Sequence, residues 1–141
     1  MSFAARQQEA QAAWHNFEQP DRQRILIGSA TCGRAAGSLE VLHAFRSEVH
    51  KQDLEHAVDL YEVGCLGMCY AEVLVEMRGR DGRRVLYQSV EPKHVPDLVA
   101  THLVGGEIYA PKALALMAET DDRLPAFTDL PMIRPQERIV L

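Results

Sequence analysis

Residues 24–33 read Arg24-Ile25-Leu26-Ile27-Gly28-Ser29-Ala30-Thr31-Cys32-Gly33. The first five are apolar on both faces and rich in isoleucine, the pattern of a central strand covered on both sides. The rest form a loop of small residues that carries a cysteine. After it Leu39, Leu42, Phe45 and Val49 recur at helical spacing, which predicts a helix over residues 35–51. Residues 58–63 read as a second strand, so strand, helix and strand form a right-handed βαβ unit with its two strands parallel. A tight loop follows, Gly64-Cys65-Leu66-Gly67-Met68-Cys69. Residues 73–77 and 84–88 are strand-like, and Gly79-Arg80-Asp81-Gly82 between them is a hairpin signal. Val95, Leu98, Val99, His102 and Leu103 then fall on one helical face, with Pro96 in the first turn and Gly105-Gly106 past the end. The order β-α-β-β-β-α predicts an α/β fold with a mixed four-stranded sheet and flanking helices: a parallel pair extended by an antiparallel hairpin.

Outside this block, residues 3–18 predict an N-terminal helix whose Trp14 and Phe17 share a face, ended by Gln19-Pro20-Asp21. From Tyr109 onward the periodicity weakens. Residues 113–119 read as a short helix, and Pro125, Pro131 and Pro135 punctuate an extended tail. The expected organisation is therefore a helix over 1–20, a central domain over 21–108 and a C-terminal extension over 109–141.

The chain has 141 residues, 47% of them apolar and 25% charged, enough for one well-buried core. Its net charge of −5 gives no electrostatic reason to expect a nucleic acid or an anionic membrane surface as partner. No apolar run approaches the roughly 20 residues of a membrane span, and no signal-like apolar stretch opens the chain. A cytoplasmic location is expected, with cysteines reduced or ligating rather than in structural disulfides.

There are three cysteines, Cys32, Cys65 and Cys69, too few and too odd in number for a closed disulfide framework. Cys32 follows the first strand, and Cys65 and Cys69 follow the second. If those strands are parallel neighbours, both loops lie at one end of the sheet, where α/β folds commonly bind ligands. Spacing leaves three readings open: small buried residues, a zinc site, or an iron–sulfur site. Zinc accepts three cysteines and a histidine, but none of the six histidines is near either loop in sequence. A [2Fe–2S] cluster takes four ligands, usually thiolates. No C-x-x-C redox pair and no glycine-rich phosphate loop is present. His102, on an apolar helix face, reads as a core histidine.

The run Gly64-Cys65-Leu66-Gly67-Met68-Cys69-Tyr70-Ala71-Glu72 resembles the thioredoxin-like [2Fe–2S] ferredoxins, in particular the module at the N-terminus of flavoprotein subunits of NADH dehydrogenases, NAD-linked hydrogenases and formate dehydrogenases. Thr31-Cys32-Gly33, Ala36-Gly37, Val85-Leu86-Tyr87, Val90-Glu91-Pro92 and His102-Leu103-Val104-Gly105-Gly106-Glu107 carry the resemblance further, over residues 24–108. It implies a thioredoxin-like sheet with a [2Fe–2S] cluster between two loops, Cys32 as second ligand and Cys65 and Cys69 as third and fourth. The first ligand belongs near Gly28. Here the chain has Gly28-Ser29, leaving Ser29 as a weak oxygen donor, and Val73 stands where a proline is common. The implied function is an accessory electron-transfer or docking module of an NADH-oxidising flavin and iron–sulfur complex. No catalytic site of its own is identified; FMN and NADH would be bound elsewhere in the complex, and its partners would be the NADH-binding flavoprotein domain and other subunits. The alternatives are a cluster-free interaction domain and a free-standing thiol- or metal-binding protein of the thioredoxin superfamily. The final run, residues 136–141, resembles the stretch before a flavin- and NADH-binding domain. With the prolines before it, it reads as a linker, so the chain is expected to be a fragment of a longer subunit.

Overall fold

The computed structural model describes residues 2–18, 22–118 and 122–137. Parts of three expectations lie outside them: the helix stop at residues 19–21, Glu119, and residues 138–141. The elements run α1 (Phe3–Phe17), β1 (Gln23–Gly28), α2 (Thr31–Ala35), α3 (Ser38–Lys51), β2 (Val58–Val63), β3 (Val75–Arg78), β4 (Arg84–Tyr87), α4 (Val95–Leu98) continuing as a π-helical segment Val99–Val104, and β5 (Ala113–Leu116). The strands form one sheet in the order β2-β1-β3-β4-β5. β1 and β2 are parallel, pairing Ile25 with Leu60, and every other neighbour is antiparallel.

Alternation along β1 sorts its side chains by face. Ile25 and Ile27 point toward the helices and are fully buried with Val41, Phe45, Val75, Met77, Val85, Val95 and Leu98. Each such side chain contributes about 1.5–3 kcal/mol by leaving water, and together they fix α3 and α4 on one face of the sheet. Gln23, also on that face, donates from Nε2 to the Leu103 carbonyl at 2.9 Å and so ties β1 to the π-helical segment. On the opposite face Met68, Leu74, Leu86, Ala115, Leu130 and Ile133 form a second, smaller core.

Two expectations need correction. The sheet has five strands rather than four, because residues 113–116 form β5 and not a helix. Ala-Leu-Ala-Leu alternates with period two, and pairing of Leu86 with Ala115 supplies the ladder that an isolated short helix would lack. The helix predicted from residue 35 begins instead at Ser38, after a separate short helix, α2, that ends at Ala35. Gly37 takes a φ of 98°, open to glycine at little cost, and α3 starts after it, which leaves Leu39 exposed. In α1 Trp14 and Phe17 do share a face and stack with centroids 5.5 Å apart, although the helix buries none of its residues and Trp14 is 60% exposed. Phe17 instead meets Tyr61 edge-on, and the Arg24 guanidinium lies 4.1 Å from the centre of its ring.

Candidate metal centre

Both cysteine loops leave the sheet at the ends of parallel neighbours, since Gly28 of β1 pairs with Val63 of β2. From Gly28 the chain turns at once into α2, and Gly33 packs so closely on the strand end that an added methyl would lie 2.2 Å from the Gly28 carbonyl oxygen. Cys32 is therefore held against the tip of β1. The second loop is pinned by Met68, fully buried in the smaller core, and turns at Gly67, whose φ is 87°. A single 3-10 turn, Cys69–Ala71, then leads to Glu72 and β3.

These two anchors bring Cys32, Cys65 and Cys69 together: their sulfurs all lie within 4.8 Å of one another. Cys65 Sγ and Cys69 Sγ are 3.7 Å apart, and all three thiols are free. Cys32 and Cys65 are half-buried, and Cys69 is exposed. The Gly67 N–H donates to Cys65 Sγ at 3.2 Å and, with the hydrogen bond from Cys32, draws the Cys65 thiol below its ordinary range. Cys32 is pushed the other way, to about 12, first by its hydrogen bond to Cys65, then by that to Cys69 and by desolvation. Ligation of a soft metal by these thiols would release protons.

Ser29 sits on the helix side of the strand end. Its hydroxyl donates to Glu62 Oε2 at 2.6 Å and lies 3.1 Å from Ser38 Oγ. Glu72, which the sequence offered only as the end of a motif, reaches the cysteines instead. Cys32 Sγ contacts its Oε1 at 3.7 Å, and its Oε2 accepts the Leu74 N–H at 2.9 Å. The signal that could have exposed it is the pairing of a carboxylate beside C-x3-C with a glycine at the strand end. The Glu72–Val73 peptide is cis. Beside the site, on the sheet face away from α3 and α4, opens a cavity of about 300 Å³ lined by Leu26, Gly28, Cys65, Leu66, Glu72 and Leu74 among others. His102 is remote from the thiols. It is buried in the core, with Nδ1 2.7 Å from the Tyr87 hydroxyl, and burial lowers its pKa to about 4.

A mixed five-stranded sheet with flanking helices and a trio of thiols at the ends of its parallel strands is an α/β arrangement of thioredoxin-like type, and comparison with solved structures shows that thioredoxin-like fold. The chain superposes on a thioredoxin-like [2Fe–2S] ferredoxin from Aquifex aeolicus with a TM-score of 0.61 at 20% identity, over 72% of this chain and 97% of that one. A second structure of the wild-type ferredoxin from that organism gives 0.58 at 23% identity, over 67% of this chain and 98% of that one. In sequence, the chain is 31% identical over 83 residues to the NADP-reducing hydrogenase subunit HndB of Solidesulfovibrio fructosivorans. That match takes in 59% of this chain and 65% of the relative's length. No family model matches the chain. Among the described residues, no helix is long and apolar enough to cross a membrane.

Proposed function

We propose that the chain is an electron-transfer module that holds a [2Fe–2S] cluster on Cys32, Cys65 and Cys69, within a larger nicotinamide-linked oxidoreductase assembly. The observation that carries this reading is the meeting of three free thiols within 4.8 Å at the mouth of the sheet. Small structural cysteines have no reason to converge from loops 33 positions apart, and thiolate is the donor that iron–sulfur clusters use. When bound, the cluster would supply one-electron chemistry. The protein's part is to fix the thiolates, to donate the Gly67 N–H to a ligand sulfur, and to leave Cys69 at the surface where a redox partner can approach.

The match to a hydrogenase subunit supports a place in a multi-subunit complex. NADH, FMN and the final acceptor are assigned to other parts of that assembly, and the flavoprotein domain is the expected neighbour. The chain itself carries no catalytic residue in this reading, and a cytoplasmic location accords with free thiols. The test is anaerobic purification followed by assay of iron and acid-labile sulfide, with visible absorbance and electron paramagnetic resonance after reduction. About two of each per chain and a reduced-cluster signal are expected. Colourless protein that takes up neither iron nor sulfide on reconstitution would leave subunit docking as the function. Zinc bound in place of iron would make the chain a mononuclear thiolate site.

A further inference from the structure

Three thiolates leave a two-iron cluster one ligand short, and the strand end where a fourth cysteine would sit is a glycine. We infer that the Glu72 carboxylate fills this place and would ligate the cluster beside Cys32. This rests on the cluster reading above and goes beyond it. Gly28 points its missing side chain at Glu72: a Cβ built there would lie 3.0 Å from Oε2 and 3.3 Å from Oε1. The space vacated at the strand end is thus occupied by a side chain reaching over from the second loop. The donor atoms also fall into two pairs of equal span. Cys65 Sγ and Cys69 Sγ are 3.7 Å apart, and Cys32 Sγ and Glu72 Oε1 are 3.7 Å apart. On one tetrahedral metal two sulfurs at about 2.3 Å lie about 3.8 Å apart, and a sulfur and a carboxylate oxygen at about 2.1 Å lie about 3.6 Å apart, so each pair is close to the span of one iron's protein ligands.

Hydrogen bonding points the same way. Ser29 spends its hydroxyl on Glu62 and Ser38, and its backbone N–H bonds the Val63 carbonyl. Glu72 is half-buried and forms no ion pair with any described residue. The Leu74 N–H holds Oε2 at 2.9 Å and leaves Oε1 turned to Cys32, the kind of hydrogen bond that orients a ligating carboxylate.

The experiment compares the natural chain with Glu72→Gln, Ser29→Ala and the double variant Glu72→Gln with Gly28→Cys. Each is reconstituted anaerobically with iron and sulfide and passed through a desalting column. Glutamine keeps the shape and can still accept the Leu74 N–H, but it is not an anion. The expected result is roughly tenfold less retained iron in Glu72→Gln, natural iron in Ser29→Ala, and recovery in the double variant with a paramagnetic signal shifted toward that of an all-thiolate cluster. Equal iron and identical spectra in Glu72→Gln and the natural chain would overturn the carboxylate ligand and leave the electron-transfer reading standing. A natural chain that takes up no iron and sulfide overturns both. Loss in Ser29→Ala with retention in Glu72→Gln would assign the place to the serine. A measurement on the natural protein alone guards against a misfolded variant: carbon-13-labelled glutamate should show the strong hyperfine coupling of a directly bound carboxylate to the reduced cluster, and its absence refutes the assignment.

Discussion

Gly33→Ala should unsettle the whole cysteine end of the molecule, although it adds a single methyl group. That methyl would lie 2.2 Å from the Gly28 carbonyl oxygen and 2.9 Å from its carbon, both backbone atoms of a central strand. Contacts this short are not tolerated, so either α2 lifts from the strand end or the strand gives way. Overpacking of this kind costs about 1–3 kcal/mol, and a displacement near 1 Å against backbone belongs at the upper end. Alanine returns roughly 0.5–1 kcal/mol, because glycine is the poorer helix residue. The net destabilisation is about 2 kcal/mol, which for a domain of this size lowers the melting temperature by roughly 6–10 °C. The assay is thermal unfolding of the reduced, metal-free protein followed by circular dichroism. Gly64→Ala is the control, since a methyl there meets nothing within 4 Å. A Gly33→Ala protein that melts at or above the natural temperature would show that α2 does not bear on β1 as described, and the placement of Cys32 would fall with it.

Other outcomes follow from the buried histidine and from the thiols. His102 is only 4% exposed, and burial lowers its pKa from about 6.5 in the unfolded chain to about 4. The unfolded state therefore binds more protons between those values, so stability falls as pH is lowered through about 6.5 to 4 and levels off below. The full loss approaches about 3 kcal/mol, and His102→Gln should flatten that part of the pH profile in urea unfolding relative to the natural chain. In the metal-free protein, air oxidation should join two of the three clustered thiols and leave one. Thiol titration before and after a reductant checks this, and three titratable thiols after prolonged exposure to air would contradict the geometry.

Much of this architecture was legible because its signals are local. Ile25 and Ile27 announce a buried strand, Leu42, Phe45 and Val49 follow one another at about one helical turn, and Asp81-Gly82 turns the hairpin. The convergence of the thiols also followed from order alone, since loops after two parallel neighbours must share an end of the sheet. What escaped was set by tertiary pairing. Residues 113–116 carry strong helix formers, alanine and leucine, and become a strand only because β4 offers a free ladder. The start of α3 after Gly37 is set by a single backbone angle inside an otherwise continuous helical pattern. Glu72 was invisible as part of the site because its relation to Gly28 spans 44 positions and depends on a side chain folding back beneath β1.

The fifth strand has a bearing on how the molecule behaves in a crowd. A sheet ends in two rows of unsatisfied backbone groups, and such rows invite another chain to zip on. At one border, β2 presents Asp59 and Glu62, tied to Arg22 and Arg34. The other border would have been β4, with buried Val85, Leu86 and Tyr87 laid open along one side. Instead, four residues of β5 close it, and the chain returns so that the Leu116 N–H bonds the Pro125 carbonyl and Leu116 bridges to Ala126. Residues 113–116 and 125–126 therefore act as a selvedge: they leave a second copy of the sheet only a short, already hemmed margin to grip.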